Sequence, residues 1–353
     1  MGGFVLKGNN KKGKIGIQDI AEMLNVSVST VSRALNDHPH ISIRTKEKVR
    51  QAAAKLGYHP GVPELMVPKK AEAVVVMTPL LKNILYQEII LGLTDFFEQN
   101  RFNTFIIDTK NNNDNVSAFF DSYKKFGVSG IIHIIGDRDI PDSFYSSVQH
   151  DGLPLVTIFE PDFETYASSV LPDMFQGIYK IVKYLRSLDV DHVALLLEND
   201  NRPEDFQIKN SFEVALDTLG MNKTTTSVIY TGCQRKHLED AARQLFTKND
   251  RPQAILVKSA AAANEISKIT NDLGFCFPKD FLLIALGMNN TDGVNENLSM
   301  LKIPAYQMGY EAAKILMRQI RDKNTEKETT VIPVSFILKG SAIVLAPYKS
   351  GLD

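Results

Sequence analysis

The sequence predicts a small three-helix head joined to a larger body of two α/β lobes, each built on a doubly wound parallel sheet. Three observations predict it. Apolar residues recur at helical spacing three times before residue 57, β-branched runs alternate with amphipathic segments from residue 72 onward, and the charge divides near the same boundary. Residues 1–70 carry 12 Lys and Arg against 5 Asp and Glu, net +7, while residues 71–353 carry 28 against 36, net −8. A basic head attracts phosphate and an acidic body does not, so only the first segment should touch nucleic acid.

The head is read from residues 17–36, IQDIAEMLNVSVSTVSRALN. Ile17, Ile20, Ala21 and Leu24 form one helical stripe, and Val31, Ala34 and Leu35 begin a second after a hinge at Asn25-Val26-Ser27. Ser27 is suited to cap the second helix, leaving Val28, Ser29, Ser32, Arg33 and Asn36 facing outward. Such a face fits a major groove, where Arg33 donates twice to guanine and the small Val28 and Ser29 allow close approach to base edges. Val49, Ala52, Ala53 and Leu56 give a third helix between a capping Thr45 and a terminating Gly57. A small helical protein-interaction module is the competing reading of one helix pair, and the charge division favours DNA.

The stretch from Ile15 to Pro60, with DIAEMLNVSVSTVSRALN followed by TKEKVRQAAAKLGYHP, resembles the DNA-binding head of LacI/GalR-type bacterial repressors almost without gaps. The likeness continues through DMFQG at 173–177 and LKIPAYQMGYEAA at 301–313, and so spans nearly the whole chain. The resemblance implies base reading by Val28, Ser29 and Arg33, with Ser27, Thr30, Ser32, Asn36, His40, Thr45 and Tyr58 on phosphates. Two of these have a purely structural alternative: Thr45 as a helix cap and Tyr58 as a core cover. It further implies a homodimeric, sequence-specific transcriptional regulator of the repressor kind on a near-palindromic double-stranded operator, tuned by a small-molecule effector.

Residues 1–14 read as a flexible basic arm, 15–60 as the head, 61–71 as a hinge linker and 72–353 as the effector and dimerisation domain. Strands are expected in AVVVM (73–77), TFIIDT (104–109), GIIHII (130–135), LVTIF (155–159), HVALLL (192–197), SVIY (227–230), AILVK (254–258) and FLLIAL (281–286). The resemblance implies a periplasmic-binding-protein-like body with the ligand in the cleft, lobe one at about 72–160 and 304–322 and lobe two at about 161–303 and 324–353. Crossings are then expected near 160, 303 and 323.

Two regions depart from the family. Its linker usually forms a short helix with a leucine wedged into the minor groove. Here GVPELMVPKK brackets only about four residues between Pro63 and Pro68, too few for much α-helical bonding. Leu65, Met66 or Val67 are the wedge candidates, with Val67 at the family leucine position, and an extended linker docked on the body is the alternative. In the cleft, sugar-responsive relatives clamp hydroxyls with an arginine, an Asn-Asp pair and aspartates, and this chain has Ile208, Ser259-Ala260 and Gly287-Met288 there. Leu85, Tyr86 and Asp173 fall at family cleft positions, and Lys209, Lys258 and Asn289 are replacement polar groups or surface residues. Leaving sugar hydroxyls unpaired costs about 1–3 kcal/mol each, so the usual sugar mode is hard to reproduce and a different effector, a carbohydrate-related metabolite among the candidates, or none, is implied.

An enzyme finds little support: no G-x-G-x-x-G, P-loop, G-x-S-x-G or H-E-x-x-H occurs, and no cofactor or metal site is expected. The cluster Asp137, Asp139 and Asp142 reads as a solvated loop, Asn111 to Asn115 as a polar turn, and His133 as an interior histidine rather than a base. A pure solute receptor would not need residues 15–60. Cys233 and Cys276 read as buried thiols, with neither a disulfide framework nor zinc spacing. No run of roughly 18 apolar residues suggests a membrane span, so a cytoplasmic, nucleoid-associated protein is expected.

Overall fold

The computed structural model describes residues 17–35, 38, 40–56, 72–109, 127–136, 142–160, 167–198, 203–221, 226–232, 235–247, 251–287 and 295–343. They fall into two compact units, residues 1–70 and 71–353.

The head consists of α1 (Ile17–Leu24), α2 (Val28–Leu35) and α3 (Ile43–Leu56). Its core is the expected one: Ile20, Ala21, Val31, Ala34, Val49, Ala52 and Ala53 are buried together, with Ile17, Leu24, Leu35 and Leu56 packed around them. The turn between α1 and α2 needs a left-handed residue, and Asn25 supplies it at φ 50°; a short amide side chain tolerates that region better than most. Ser42, not Thr45, caps α3. Ser42 Oγ accepts the Thr45 N–H at 3.2 Å, and Thr45 lies inside the first turn. The cap has to precede the helix for its oxygen to reach back to an early amide.

The first sheet of the body contains β1 (Ala73–Thr78), β2 (Asn103–Asp108), β3 (Val128–Ile134), β4 (Leu155–Ile158), β5 (Ser168–Asp173) and β11 (Thr329–Pro333), in the order β11-β5-β4-β3-β1-β2. Every pairing in it is parallel. The helices α4 (Ile84–Gln99) and α10 (Ala305–Arg321) cover one face, and α5 (Asp142–His150) packs on the other. The alternation is legible in the core. Val74, Val76, Ile132 and Ile134 point to the α4/α10 side, while Val75, Met77 and Ile131 join Phe144 and Val148 of α5. Burial on both faces is why these strands read as unbroken apolar runs.

The second sheet contains β6 (Val193–Leu197), β7 (Ser227–Tyr230), β8 (Ala254–Val257), β9 (Leu282–Ala285), β10 (Ser299–Lys302) and β12 (Ser335–Ile337), in the order β12-β10-β9-β8-β6-β7. Its covering helices are α6 (Met174–Ser187) and α7 (Pro203–Leu219) on one side, and α8 (Arg235–Phe246) and α9 (Ala260–Asp272) on the other. This sheet is not wholly parallel, because β12 runs antiparallel to β10. The strand returns from the first sheet after a single residue, which leaves no room for a crossover helix.

Among the described residues, three crossings join the lobes. The chain leaves β5 after Asp173 for α6, leaves β10 for α10, and passes from β11 to β12 through Val334 alone. The first and last differ from the expected positions near 160 and 323, because β5 and β11 complete the first sheet before the chain departs. Val334 is buried against α6, where a Cβ at Gly177 would fall inside contact with its methyl group.

The helices α4 and α10 approach backbone to backbone. A Cβ on Gly92 would collide with the Tyr306 carbonyl, and one on Gly309 with the Ile89 carbonyl. Among the described residues no helix is long and apolar enough to cross a membrane.

Candidate nucleic-acid interface and ligand cleft

In the head, α2 buries Val31 and Ala34 and turns Val28, Ser29 and Arg33 outward, with Thr30 and Ser32 half-buried beside them. Burial of the opposite stripe fixes the rotation of the helix, so Arg33 projects one turn beyond Ser29 on the same face. Ser27 caps the helix as expected, its Oγ accepting the Thr30 N–H at 3.1 Å. It also stands 2.8 Å from Ser29 Oγ and 2.7 Å from Thr30 Oγ1. His40 lies exposed in the turn before α3, its N–H donating to His38 Nδ1 at 3.4 Å and the two rings 5.4 Å apart. His38 was not singled out in the sequence. Its N–H bonds to the Arg33 carbonyl at 2.9 Å, which ties this turn to the end of α2. Asn36, Tyr58, Leu65, Met66 and Val67 lie outside the described residues.

In the body, all three crossings depart from the carboxyl ends of strands, β5 and β11 in the first sheet and β10 in the second. The carboxyl ends of both parallel arrays therefore face one shared gap, where ligands bind in open α/β sheets. Thr78, Asp108, Gly136, Phe159, Glu160 and Asp173 stand at or just beyond the carboxyl ends of strands in the first sheet, and Glu198, Thr231, Lys258, Ser259 and Gly287 at or just beyond those of the second.

Tyr86 is half-buried, its ring 6.1 Å from Phe159. Phe159 sits at φ 87°, a region that costs an aromatic residue roughly 1–3 kcal/mol and marks the end of β4 as a constrained position. No apolar periodicity signals it, because its distinction lies in the backbone. Thr78 is fully buried at the end of β1, and its Oγ1 has no hydrogen-bond partner among the described residues.

Opposite these residues, Lys258 reaches into three carboxylates. Its Nζ stands 2.5 Å from Asp205, 3.2 Å from Glu204 and 3.4 Å from Glu198. The lysine side chain is 10% exposed, and Asp205 is fully buried and also accepts the Glu198 N–H at 3.0 Å. Burial alone would lower the ammonium's pKa, but the charge of Glu204, the contact with Asp205 and the field of Glu198 together hold it above the ordinary lysine value.

Residues 16–61 match the model of bacterial regulatory proteins of the lacI family, and residues 182–342 match that of a periplasmic-binding-protein-like domain. The chain carries a LacI-family DNA-binding head together with a periplasmic-binding-protein-like domain. It is 23% identical over 324 residues to catabolite control protein A of Priestia megaterium, covering 90% of this chain and 96% of that protein. Among solved structures it resembles the lac repressor dimer bound to operator and the anti-inducer ONPF, at TM-score 0.66 and 18% identity, covering 94% of this chain and all of that one. It also resembles the complex of the transcriptional regulator CelR with cellobiose, at TM-score 0.65 and 19% identity, covering 93% and 100%. CelR is named as a transcriptional regulator and the lac repressor as bound to operator.

The residues expected in the cleft are placed as follows. Ile208 is a core residue, 2% exposed in the second turn of α7, which begins at Pro203. Leu85 likewise belongs to the core under α4. Asp173 caps α6, its Oδ1 accepting the Gln176 N–H at 3.0 Å, and Ser259 caps α9 by accepting the Ala262 N–H at 3.2 Å. Lys258 is no surface residue, whereas Lys209 is one, 3.9 Å from Glu213 on α7. Met288, Asn289, Asn111 to Asn115, Asp137 and Asp139 and the side chain of Asp142 lie outside the described residues.

His133 is interior, as its place in an apolar run suggested. It faces α5, takes a hydrogen bond with Tyr145 Oη at 2.9 Å through Nδ1, and burial lowers its pKa to about 4. Cys276 is exposed rather than buried. It sits in a turn where the neighbouring Phe275 and Phe277 pack inward, so the alternation points the thiol out, and its N–H donates to Asp280 at 2.8 Å. Cys233 lies outside the described residues.

Proposed function

We propose that this protein is a sequence-specific transcriptional regulator of the repressor type. It binds a near-palindromic operator as a homodimer in the cytoplasm and changes its DNA affinity when a small molecule occupies the gap between the lobes. The observation that carries this reading is the exposed face of α2, with Val28, Ser29 and Arg33 presented from a rigid three-helix core in a segment of net charge +7. Ser27, Thr30, Ser32, His40 and Thr45 would hold phosphates around it, joined by Asn36 and Tyr58, with Leu65, Met66 or Val67 at the minor groove.

The dimer is supported by exposed apolar residues along one edge of the first sheet: Leu91 on α4 is 53% exposed, and Ile106 on the edge strand β2 is 41% exposed. A palindrome matches a two-fold protein. The effector differs from a simple sugar clamped through its hydroxyls, because Ile208 is interior and Lys258 is held by three carboxylates. Tyr86, Phe159 and Asp173 are the cleft residues assigned to it.

Selection of bound duplexes from a random pool, with and without a metabolite panel, tests the reading. A two-fold symmetric site should emerge. Arg33→Ala should weaken specific binding by about 1–3 kcal/mol and relax one base preference per half-site. An equal loss on every sequence would remove Arg33 from base reading, and no enriched sequence at all would overturn the proposal.

A further inference from the structure

The three hydroxyls at the start of α2 form a chain with only two proton arrangements. A hydroxyl offers one donor and two acceptor lone pairs. Ser27 Oγ spends one lone pair on the Thr30 N–H at 3.1 Å and contacts Ser29 Oγ at 2.8 Å and Thr30 Oγ1 at 2.7 Å. To satisfy both contacts it must accept from one neighbour and donate to the other. If Ser27 donates to Thr30, then Ser29 donates to Ser27 and turns only lone pairs outward. In the reverse order Ser29 keeps a free proton and Thr30 loses one. The cap of α3 lacks this constraint: Ser42 has the Thr45 amide at 3.2 Å and the Thr45 hydroxyl at 2.7 Å, and Arg44 stands where a third hydroxyl would.

We propose that Ser27 couples the phosphate contact of Thr30 to the base choice of Ser29, so that on bound DNA Ser29 is a hydrogen-bond acceptor and selects an exocyclic amino group. This rests on the reading that Ser29 meets a base edge and Thr30 a phosphate. Phosphate oxygens accept and never donate, so a Thr30 hydroxyl facing one must donate outward. Its other bond is then one that it accepts from Ser27. Ser27 has thereby used its only proton, and the Ser29 proton is drawn inward. What Ser29 presents to the groove is a lone pair, the partner of adenine N6 or cytosine N4 rather than of guanine O6 or thymine O4. Ser27 is a positioning residue in this scheme, acting through Ser29.

The test uses the full-length protein and duplex selection from a random pool, with thermal unfolding to verify that each variant folds. Ser29→Ala identifies the base pair that Ser29 reads. At that pair, replacing the preferred adenine or cytosine by purine or 2-pyrimidinone, which lack the amino group, should weaken wild-type binding about five- to tenfold and leave Ser29→Ala unchanged. Thr30→Val keeps the branched shape but frees the Ser27 proton for Ser29. It should exchange the preference at that pair between amino-bearing and keto-bearing bases while other positions keep theirs. Ser27→Gly should flatten the preference, and Ser27→Thr should retain it. Loss of binding on removing a keto oxygen instead, or an unaltered preference in Thr30→Val, would overturn the coupling while leaving base reading intact. If Ser29→Ala alters no base preference, the assignment of Ser29 as a reader itself fails, and the coupling with it.

Discussion

Lys258 shows how one residue can stand at the carboxyl end of a strand facing the gap and still be committed to the protein's own carboxylates. Its ammonium is matched to a fully buried Asp205, while Glu204, 66% exposed, closes the cluster from the solvent side. Removing one partner of a buried ion pair leaves the other charge without compensation, so Lys258→Met should destabilise the body by about 3 kcal/mol. Removing Asp205 as well, in Lys258→Met/Asp205→Leu, should recover most of that loss. Chemical denaturation of the two variants measures both. The pH behaviour has a definite sign. The folded-state pKa of Lys258 is raised, so its contribution is complete at neutral pH and is lost only as pH climbs through that raised value into the strongly alkaline range. The reading face of α2 was legible in the sequence because period and cap chemistry act within one turn. The Lys258 cluster was not, since Glu198, Asp205 and Lys258 meet only when β6, α7 and β8 are laid side by side.

At the scale of elements, β1, β3, β4, β6, β8 and β9 were legible because burial on both faces demands continuous hydrophobic runs, and the more exposed edge strands β2 and β7 because β-branched and aromatic residues favour the pleated surface. The strands β5, β10, β11 and β12 were not, and β5 shows why. Its SSVLPD sequence looks like a turn, yet Ser168 is buried and accepts hydrogen bonds from Gln319 Nε2 at 2.7 Å and the Glu328 N–H at 3.0 Å. Ser169 pairs with the Thr157 hydroxyl at 2.8 Å. Polar residues enter a core when tertiary partners satisfy them, and the partners of Ser168 lie 151 and 160 positions away. The contact of α4 with α10 gives a sharper test. In an exposed helix Gly→Ala gains up to about 1 kcal/mol. Here Gly309→Ala should instead lose about 1–3 kcal/mol, because its methyl group meets the Ile89 carbonyl and the helices must separate. A raised melting temperature for that variant would contradict the close approach.

For the whole molecule, the near-neutral total charge conceals a cationic head and an anionic body, and that division was read directly from composition. The association of two copies was implied only by family likeness, and its structural support is the apolar edge of the first sheet. Ile106→Asp places a carboxylate in that edge and should weaken self-association by about tenfold or more, roughly 1.4 kcal/mol. Sedimentation at micromolar concentration reads the shift toward monomer, and operator affinity should fall with it. An unchanged dimer would move the interface elsewhere.

The single-residue passage through Val334 restricts what a ligand can do to the body. A tether one residue long cannot lengthen, so the lobes are not free to slide apart. Under the proposed regulation they would swivel about an axis passing near it, and a message sent from the gap would be encoded as an angle rather than a distance.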